Sequence, residues 1–395
     1  MRIERSYVVV SASTAAEGLV SFLVPPYLDS VHFPVGIIGV LVASGALAAL
    51  ASRVPAGLLY RGRRARALLI GSMATGMVAA ALLPHAHEPL TFAALRSLGG
   101  FCYGVATTVN LARFIDAIPP GRDRASAMGY FSAALAVGFM IGNGLGGFSG
   151  ELLGYPWAFT LAAGNYLIGA LVAATLPPPR ASAPRHRRAA SPAASRWAPL
   201  RVLGQPGVLR VTLAAFLLAF MQSISGAFMP LYGLSVGLAL SEVGVIRTAT
   251  ALVNVVTRSL GGYVTRHLGR TAVMHVGLSL QAVGLVGLAS FDFFWALFVV
   301  MLWVATCRAV VLVANTIALT EDIDEARVSR GVASGLFNAS SDLGQVVAPA
   351  LGGAVASLFG LGTMFRVLPP LVLALYFAAM LATARRDVAD RAEAR

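Results

Sequence analysis

Long apolar runs broken by short polar intervals set the pattern of this chain. Taking about 20 predominantly apolar residues as enough to cross a bilayer, six runs lie at Tyr7 to Leu28, Val35 to Ala56, Ala67 to Leu83, Leu90 to Ala112, Met128 to Phe148 and Trp157 to Leu176. Six more lie at Val211 to Leu234, Val243 to Val264, Val273 to Ser290, Phe294 to Leu319, Val332 to Leu358 and Val367 to Ala384. Between the sets, Pro177 to Gly207 is rich in Pro, Ala, Ser and Arg and has no apolar period, so it reads as a flexible linker. The start, MRIERSYVVV, resembles a signal peptide, but its run continues to Leu28 through Glu17, Pro25 and Pro26, which suits a spanning helix. The pattern predicts an all-α membrane protein with twelve transmembrane helices: a six-helix bundle over residues 1–176, a cytoplasmic linker over 177–207, a second six-helix bundle over 208–386 and a cytoplasmic tail over 387–395.

The two bundles repeat each other at a shift of 205 or 206 residues. Pro25 and Tyr27 fall on Pro230 and Tyr232, Glu17 on Gln222, and Arg53, Gly57 and Arg61 on Arg258, Gly262 and Arg266. Asp116, Arg124, Gly129, Phe131 and Gly138 fall on Asp322, Arg330, Gly335, Phe337 and Gly344, while Gly146 and Gly147 fall on Gly352 and Gly353. Two related bundles that share an interface can rock about a site near the membrane midplane, which implies transport.

Composition narrows the class further. The chain is 57% hydrophobic and only 12% charged, where soluble domains carry about 25% charged residues, so a soluble enzyme or nucleic-acid-binding domain is nearly excluded. All 30 basic residues are Arg and the formal charge is +13. With both termini cytoplasmic, 26 of the 30 lie in or beside cytoplasmic segments, and the opposite loops HAHEP and FDFF hold none. The excess thus reads as an orientation signal rather than a polyanion site. Arg96, Arg247, Arg308 and Arg366 are the exceptions. Cys102 and Cys307 sit inside apolar runs and give neither a disulfide framework nor a metal-ligand spacing. No nucleophile with a base, metal cluster or GxxxxGK[ST] motif occurs, so neither cofactor nor metal is expected, and a membrane-embedded enzyme or a non-transporting receptor finds no support.

Charge within hydrocarbon is costly unless paired or facing water, which singles out Glu17, Arg96, Arg308 and Asp342. Glu17 lies on a stripe with Ser11, Thr14, Gly18, Ser21 and Pro25, a face expected to meet the cavity and to bind a proton or a cationic group. Gln222, at the matching place, forms hydrogen bonds but does not titrate. Asp342 shares a stripe with Ser334, Asn338, Ser341 and Gln345, and its counterpart is the apolar Ala136, so one half alone gained an acid. Arg308, on one face with Asn315, either meets an anionic substrate group or neutralises a cavity acid. Asn254, Trp303, Tyr232 and Phe228 are further candidates for the cavity lining.

The six-plus-six plan, the loops RVPAGLLYRGRR and RSLGGYVTRHLGR, the run RSLGGFCYG from Arg96 to Gly104, and GFMIGNGLGG in the fifth span together resemble the major facilitator superfamily, most closely its proton-driven drug and small-solute antiporters. The resemblance implies that Arg96 takes part in proton coupling. It also implies that helices bearing Gly138, Gly142, Gly144, Gly146 and Gly147, and Gly344, Pro349, Gly352 and Gly353, line the interface between halves; Asn143 stands where the family usually has Pro. The family's loop after the second span carries an Asp that both copies here lack. Asp116 and Asp322 are expected to replace it, pairing with Arg61, Arg63 or Arg64 and with Arg266 or Arg270 in a cytoplasmic gate that includes Arg124 and Arg330.

The resulting expectation is a monomeric, multi-pass secondary transporter of a bacterial inner membrane. It would exchange protons for a small organic solute moving outward, with the solute, protons and the lipid bilayer as its partners and no nucleic acid. Uptake of an anionic metabolite or metal chelate, with Arg96 and Arg308 as anion contacts, is the alternative.

Overall fold

The computed structural model describes residues 4–60, 62–118, 123–176, 206–325 and 330–393. Hydrocarbon offers no partner for a free N–H or C=O, so a chain this apolar satisfies its backbone within helices. Among the described residues there are twelve long ones: α1 Glu4–Ser30, α2 Val35–Leu59, α3 Gly62–Leu82, α4 Pro89–Ala117, α5 Arg124–Leu152 and α6 Tyr155–Ala174, then α7 Pro206–Ser235, α8 Leu240–Leu268, α9 Arg270–Leu288, α10 Phe294–Glu325, α11 Arg330–Phe359 and α12 Leu361–Glu393. Eleven are long and apolar enough to cross a membrane. The exception, α4, is diluted by the buried polar groups Arg96, Asn110 and Arg113.

Two helices extend into the stretches assigned to the linker and the tail. The second bundle begins at Pro206, inside the stretch assigned to the linker, because proline suits the first turn of a helix, where its missing N–H has no partner to lose. The tail expected over 387–395 is helical as far as Glu393, since VADRAE carries good helix formers and no breaker. Otherwise the connections are tight. The matched turns after α5 and α11 each place a glycine at positive φ, Gly154 at 81° and Gly360 at 84°, where the chain reverses between helices.

The repeat extends to contacts. In α1–α6, α1 packs on α5 and α6, α2 on α4, and α3 on α4 and α6; in α7–α12 the equivalent neighbours recur. Asn110 Nδ2 donates to the Ser6 carbonyl at 3.2 Å, and its counterpart Asn315 Nδ2 donates to the Val211 carbonyl at 3.2 Å. Tyr27 and Tyr232 likewise tie α1 and α7 to the Pro84 and Phe291 carbonyls.

Two antiparallel seams join the halves, α2 against α11 and α5 against α8, with α1 touching α7 between them. Both seams are tight at the end away from the linker. A Cβ on Gly353 would lie 2.9 Å from Gly39 Cα, and one on Gly147 would lie 2.7 Å from Gly244 Cα. At the linker end the same four helices separate: Gly57, Gly129, Gly262 and Gly335 meet nothing within 4 Å. The molecule is closed at one end and open at the other.

Candidate functional site

The intramembrane charges resolve into three groups. The first lies inside α1–α6. Arg96 Nη2 on α4 donates to Glu17 Oε1 on α1 at 2.7 Å, and Nη1 reaches Oε2 at 3.5 Å. The side chains are only 6% and 10% exposed, so the pair is dehydrated. Glycine makes room for it, because a Cβ on Gly45 of α2 would stand 2.7 Å from Arg96 Nε. That Nε and the Tyr166 hydroxyl are buried without hydrogen-bond partners. Glu17, Arg96, Gly76 and Tyr166 border a void of about 10 Å³, room for roughly one water.

This placement corrects the expectation for α1. Its stripe does not face a cavity: Ser11 Oγ donates to the Ala134 carbonyl of α5 at 2.8 Å, and a Cβ on Gly18 would meet Phe139 of α5 at 3.2 Å. Ser11, Thr14 and Gly18 serve close packing of α1 on α5, and Glu17 turns the other way, to Arg96. Too little space adjoins Glu17 for a solute, so in this conformation its carboxylate is a charge partner and not a solute contact.

The second group bridges the halves. Arg53 Nη1 on α2 donates to Asp342 Oδ2 on α11 at 2.7 Å, continuing their seam toward the linker end. Arg53 is 42% exposed and Asp342 9%. Arg53 was visible in the sequence only as one member of a repeated pair. Among the described residues its counterpart Arg258 pairs with no acid, and Ala136 occupies the place matching Asp342; Arg258 Nε donates to Asn254 Oδ1 at 3.0 Å. Asn254 thus orients an arginine.

The third group lies in α7–α12. A cavity of about 140 Å³ is bordered by Arg308, Gln222, Ser341, Gln345 and Phe337, among others. Arg247 and Arg258 stand close enough to Arg308 for their charges to repel it. Asp342 is engaged by Arg53, so the idea that Arg308 neutralises it is not supported. Trp303 is misplaced as a lining residue: it is 48% exposed and its indole donates to the Leu280 carbonyl of α9 at 3.1 Å. Tyr232 and Phe228 are buried in the apolar core.

The glycines divide by partner. On α5, Gly138 and Gly142 admit α1 backbone, while Gly146 admits Phe22. Gly344 and Gly352 on α11 do the same for Phe216 and Phe228 of α7. Gly144 and Gly147 instead meet Thr248 and Gly244 of α8 across the seam, as Gly353 and the Pro349 carbonyl meet Gly39 of α2.

At the linker end, Tyr60 Oη donates to Asp116 Oδ2 at 2.8 Å. Burial and that carboxylate push the phenol well above its usual value. Tyr60 is a partner of Asp116 that charge counting did not reveal. Arg64 is exposed. Of the expected gate pairs, Arg61 and the side chains of Arg63, Arg124, Asp322 and Arg330 lie outside the described residues. Arg266 lies in the last turn of α8 and Arg270 opens α9, with Arg266 Nε donating to the Gly262 carbonyl at 3.3 Å.

Comparison with known proteins places these features. No curated protein sequence matches the chain. Among solved structures, nucleoside transporter NupG aligns with a TM-score of 0.79 at 14% identity, covering 97% of this chain and 99% of its own. A bacterial homologue of the human lysosomal transporter Spinster, in an inward-facing and unoccupied conformation, aligns with a TM-score of 0.74 at 18% identity, covering 96% of this chain and 93% of its own. At such identities these likenesses carry the fold alone. The family model of the Major Facilitator Superfamily, however, matches residues 7–329. Most of the sequence, the twelve-helix architecture and the duplicated seams agree, and the chain is a multi-pass membrane transporter that belongs to the Major Facilitator Superfamily.

Proposed function

We propose that this transporter is a monomer of a bacterial inner membrane that exchanges protons for a small organic solute moving outward. With the Arg-rich linker side in the cytoplasm, the conformation is inward-open: the seams are tight on the outer side and apart on the inner. Outward movement follows the resemblance of the glycine-rich fifth and eleventh helices to those of exporters. The observation that carries proton coupling is the dehydrated pair Glu17–Arg96. It joins α1 and α4 within one half, away from bulk water. Protonating Glu17 removes half of a buried pair, leaving Arg96 without its counter-ion, and that cost shifts the balance between states in which the pair is differently hydrated.

Glu17→Gln tests this in membrane vesicles loaded with solutes that bind the protein. Gradient-driven transport should fall at least tenfold, while downhill exchange of the same solute stays within a few-fold of wild type. Full proton-driven transport by the variant would reduce Glu17 to a structural role. A second reading, uptake of an anionic metabolite or metal chelate, is favoured by Arg308 lacking an acid among the described residues. It predicts that an inward proton gradient fills rather than empties the cytoplasmic side.

A further inference from the structure

The charge balance of α7–α12 is uneven. Among the described residues the two intramembrane acids, Glu17 and Asp342, are each held by an arginine, Arg96 and Arg53. Arg247, Arg258 and Arg308 form no ion pair among the described residues, although Arg247 and Arg258 are near enough to repel Arg308. Three guanidinium groups clustered in a membrane-embedded bundle are costly unless water or counter-charge reaches them, and neighbouring cations raise that cost.

The arrangement shows where a counter-charge fits. Arg247, Asn254 and Arg258 occur at spacings of seven and four residues, one face of α8. A Cβ on Gly226 of α7 would lie 3.7 Å from Arg247 Nη2, and Gly226 is one turn from Gln222. Gln222 in turn borders the cavity with Arg308, Ser341 and Gln345. Arg247 Nε is buried without a hydrogen-bond partner. The matching place in the first bundle holds Glu17 instead of Gln222. One half therefore carries its own carboxylate against an arginine, and the other presents arginines with a neutral amide where the carboxylate would be.

We propose that the transported solute carries an oxyanion, a carboxylate or a phosphate ester, which enters this cavity beside Arg308 and Gln222. Arg308 binds it as a planar two-donor group, Gln222 and Ser341 donate neutral hydrogen bonds, and Arg247 and Arg258 supply the surrounding positive field. At about 140 Å³ the cavity accepts the anionic end of a solute, the remainder extending toward the gap between halves. The inference rests on the transport reading, of which it names the substrate class.

The test uses the purified full chain in nanodiscs. Its melting temperature is followed against mono-, di- and tricarboxylates and phosphate monoesters, with amines and polyols of matched size as controls. At least one anion class should stabilise the protein in a concentration-dependent way, and added salt should weaken the effect. Arg308→Gln should weaken that binding at least tenfold, Arg308→Lys less, and Gln222→Ala a few-fold without altering any charge. Stabilisation by amines or polyols alone, no stabilisation by any anion, or equal anion affinity in wild type, Arg308→Gln and Gln222→Ala overturns the proposal. Should Arg308→Gln not fold, Arg308→Lys and Gln222→Ala decide it. An anion that binds at Arg308 but does not cross vesicles contradicts the transport reading alone. Vesicles that move a cation with a pH gradient contradict the oxyanion alone.

Discussion

Glu17 and Arg96 each stand out in the sequence as charges that hydrocarbon does not tolerate alone, yet their partnership does not. Nothing in helical spacing says which neighbour a side chain of α1 faces, because that helix is 78% buried and lacks a lipid-facing stripe to orient it. The stripe through Ser11, Thr14 and Gly18 was real, but its small residues serve packing on α5. Arg247 was marked only as an arginine that topology did not explain, and Tyr60 carried no signal at all. Gly45 offers a sensitive test at this scale. A Cβ there would press on Arg96 Nε, so Gly45→Ala should displace the guanidinium and reproduce much of the coupling loss of Glu17→Gln without touching a charge; unchanged pH-gradient dependence would contradict the pair's placement. Tyr60→Phe removes the hydrogen bond to Asp116 and should leave solute affinity unchanged while changing the exchange rate a few-fold. Because the Tyr60 phenol is held above its ordinary value, it stays neutral throughout the physiological range, and no pH dependence of transport below about pH 10 arises from it.

Among helices, the small residues of α5 and α11 were legible as an interface, and their repetition at Gly146–Gly147 and Gly352–Gly353 was legible too. What the sequence left open was their division. Gly138, Gly142, Gly344 and Gly352 bring each helix against its own half, whereas Gly147 and Gly353 touch the opposite one. The difference depends on rotation of the helix, and a helix that is small on several sides does not declare it. The tight contacts belong to one conformation only. Gly353→Val should wedge α11 from α2 and move the population toward the state with that seam apart. A cysteine placed at Gly57, at the open end, should then react several-fold more slowly with a polar thiol reagent; an unchanged rate would mean that the seam does not govern access. Asp342→Asn acts on the same seam more gently. Arg53 is 42% exposed, so solvent screens the pair and it holds the conformation by about 1 kcal/mol or less, a population shift of up to roughly five-fold.

The whole molecule was the most legible level, because duplication and the count of apolar runs depend on residue order rather than on side-chain direction. Asn110 and Asn315 making the same bond in both halves shows how far the repeat extends into the structure. The halves nevertheless differ where chemistry matters, with Glu17 against Gln222 and Asp342 against Ala136, and under the two proposals that asymmetry divides labour between a half that takes a proton and a half that takes an anion. An anion leaving the cell is also driven by the membrane potential, by about 2.3 kcal/mol per charge per 100 mV, so export of such a solute should accelerate as the interior becomes more negative. If both assignments hold, protonation must change the shape of the whole assembly even with no solute present. Pulsed electron–electron distance measurements in nanodiscs test this, with spin labels at positions 57 and 335 on the open side and at 31 and 358 on the closed side, across pH. Lowering the pH should move the two distances in opposite senses in the wild type, and Glu17→Gln should abolish the response. Distances that do not change with pH, or a response that survives in Glu17→Gln, would contradict proton-coupled alternation through Glu17.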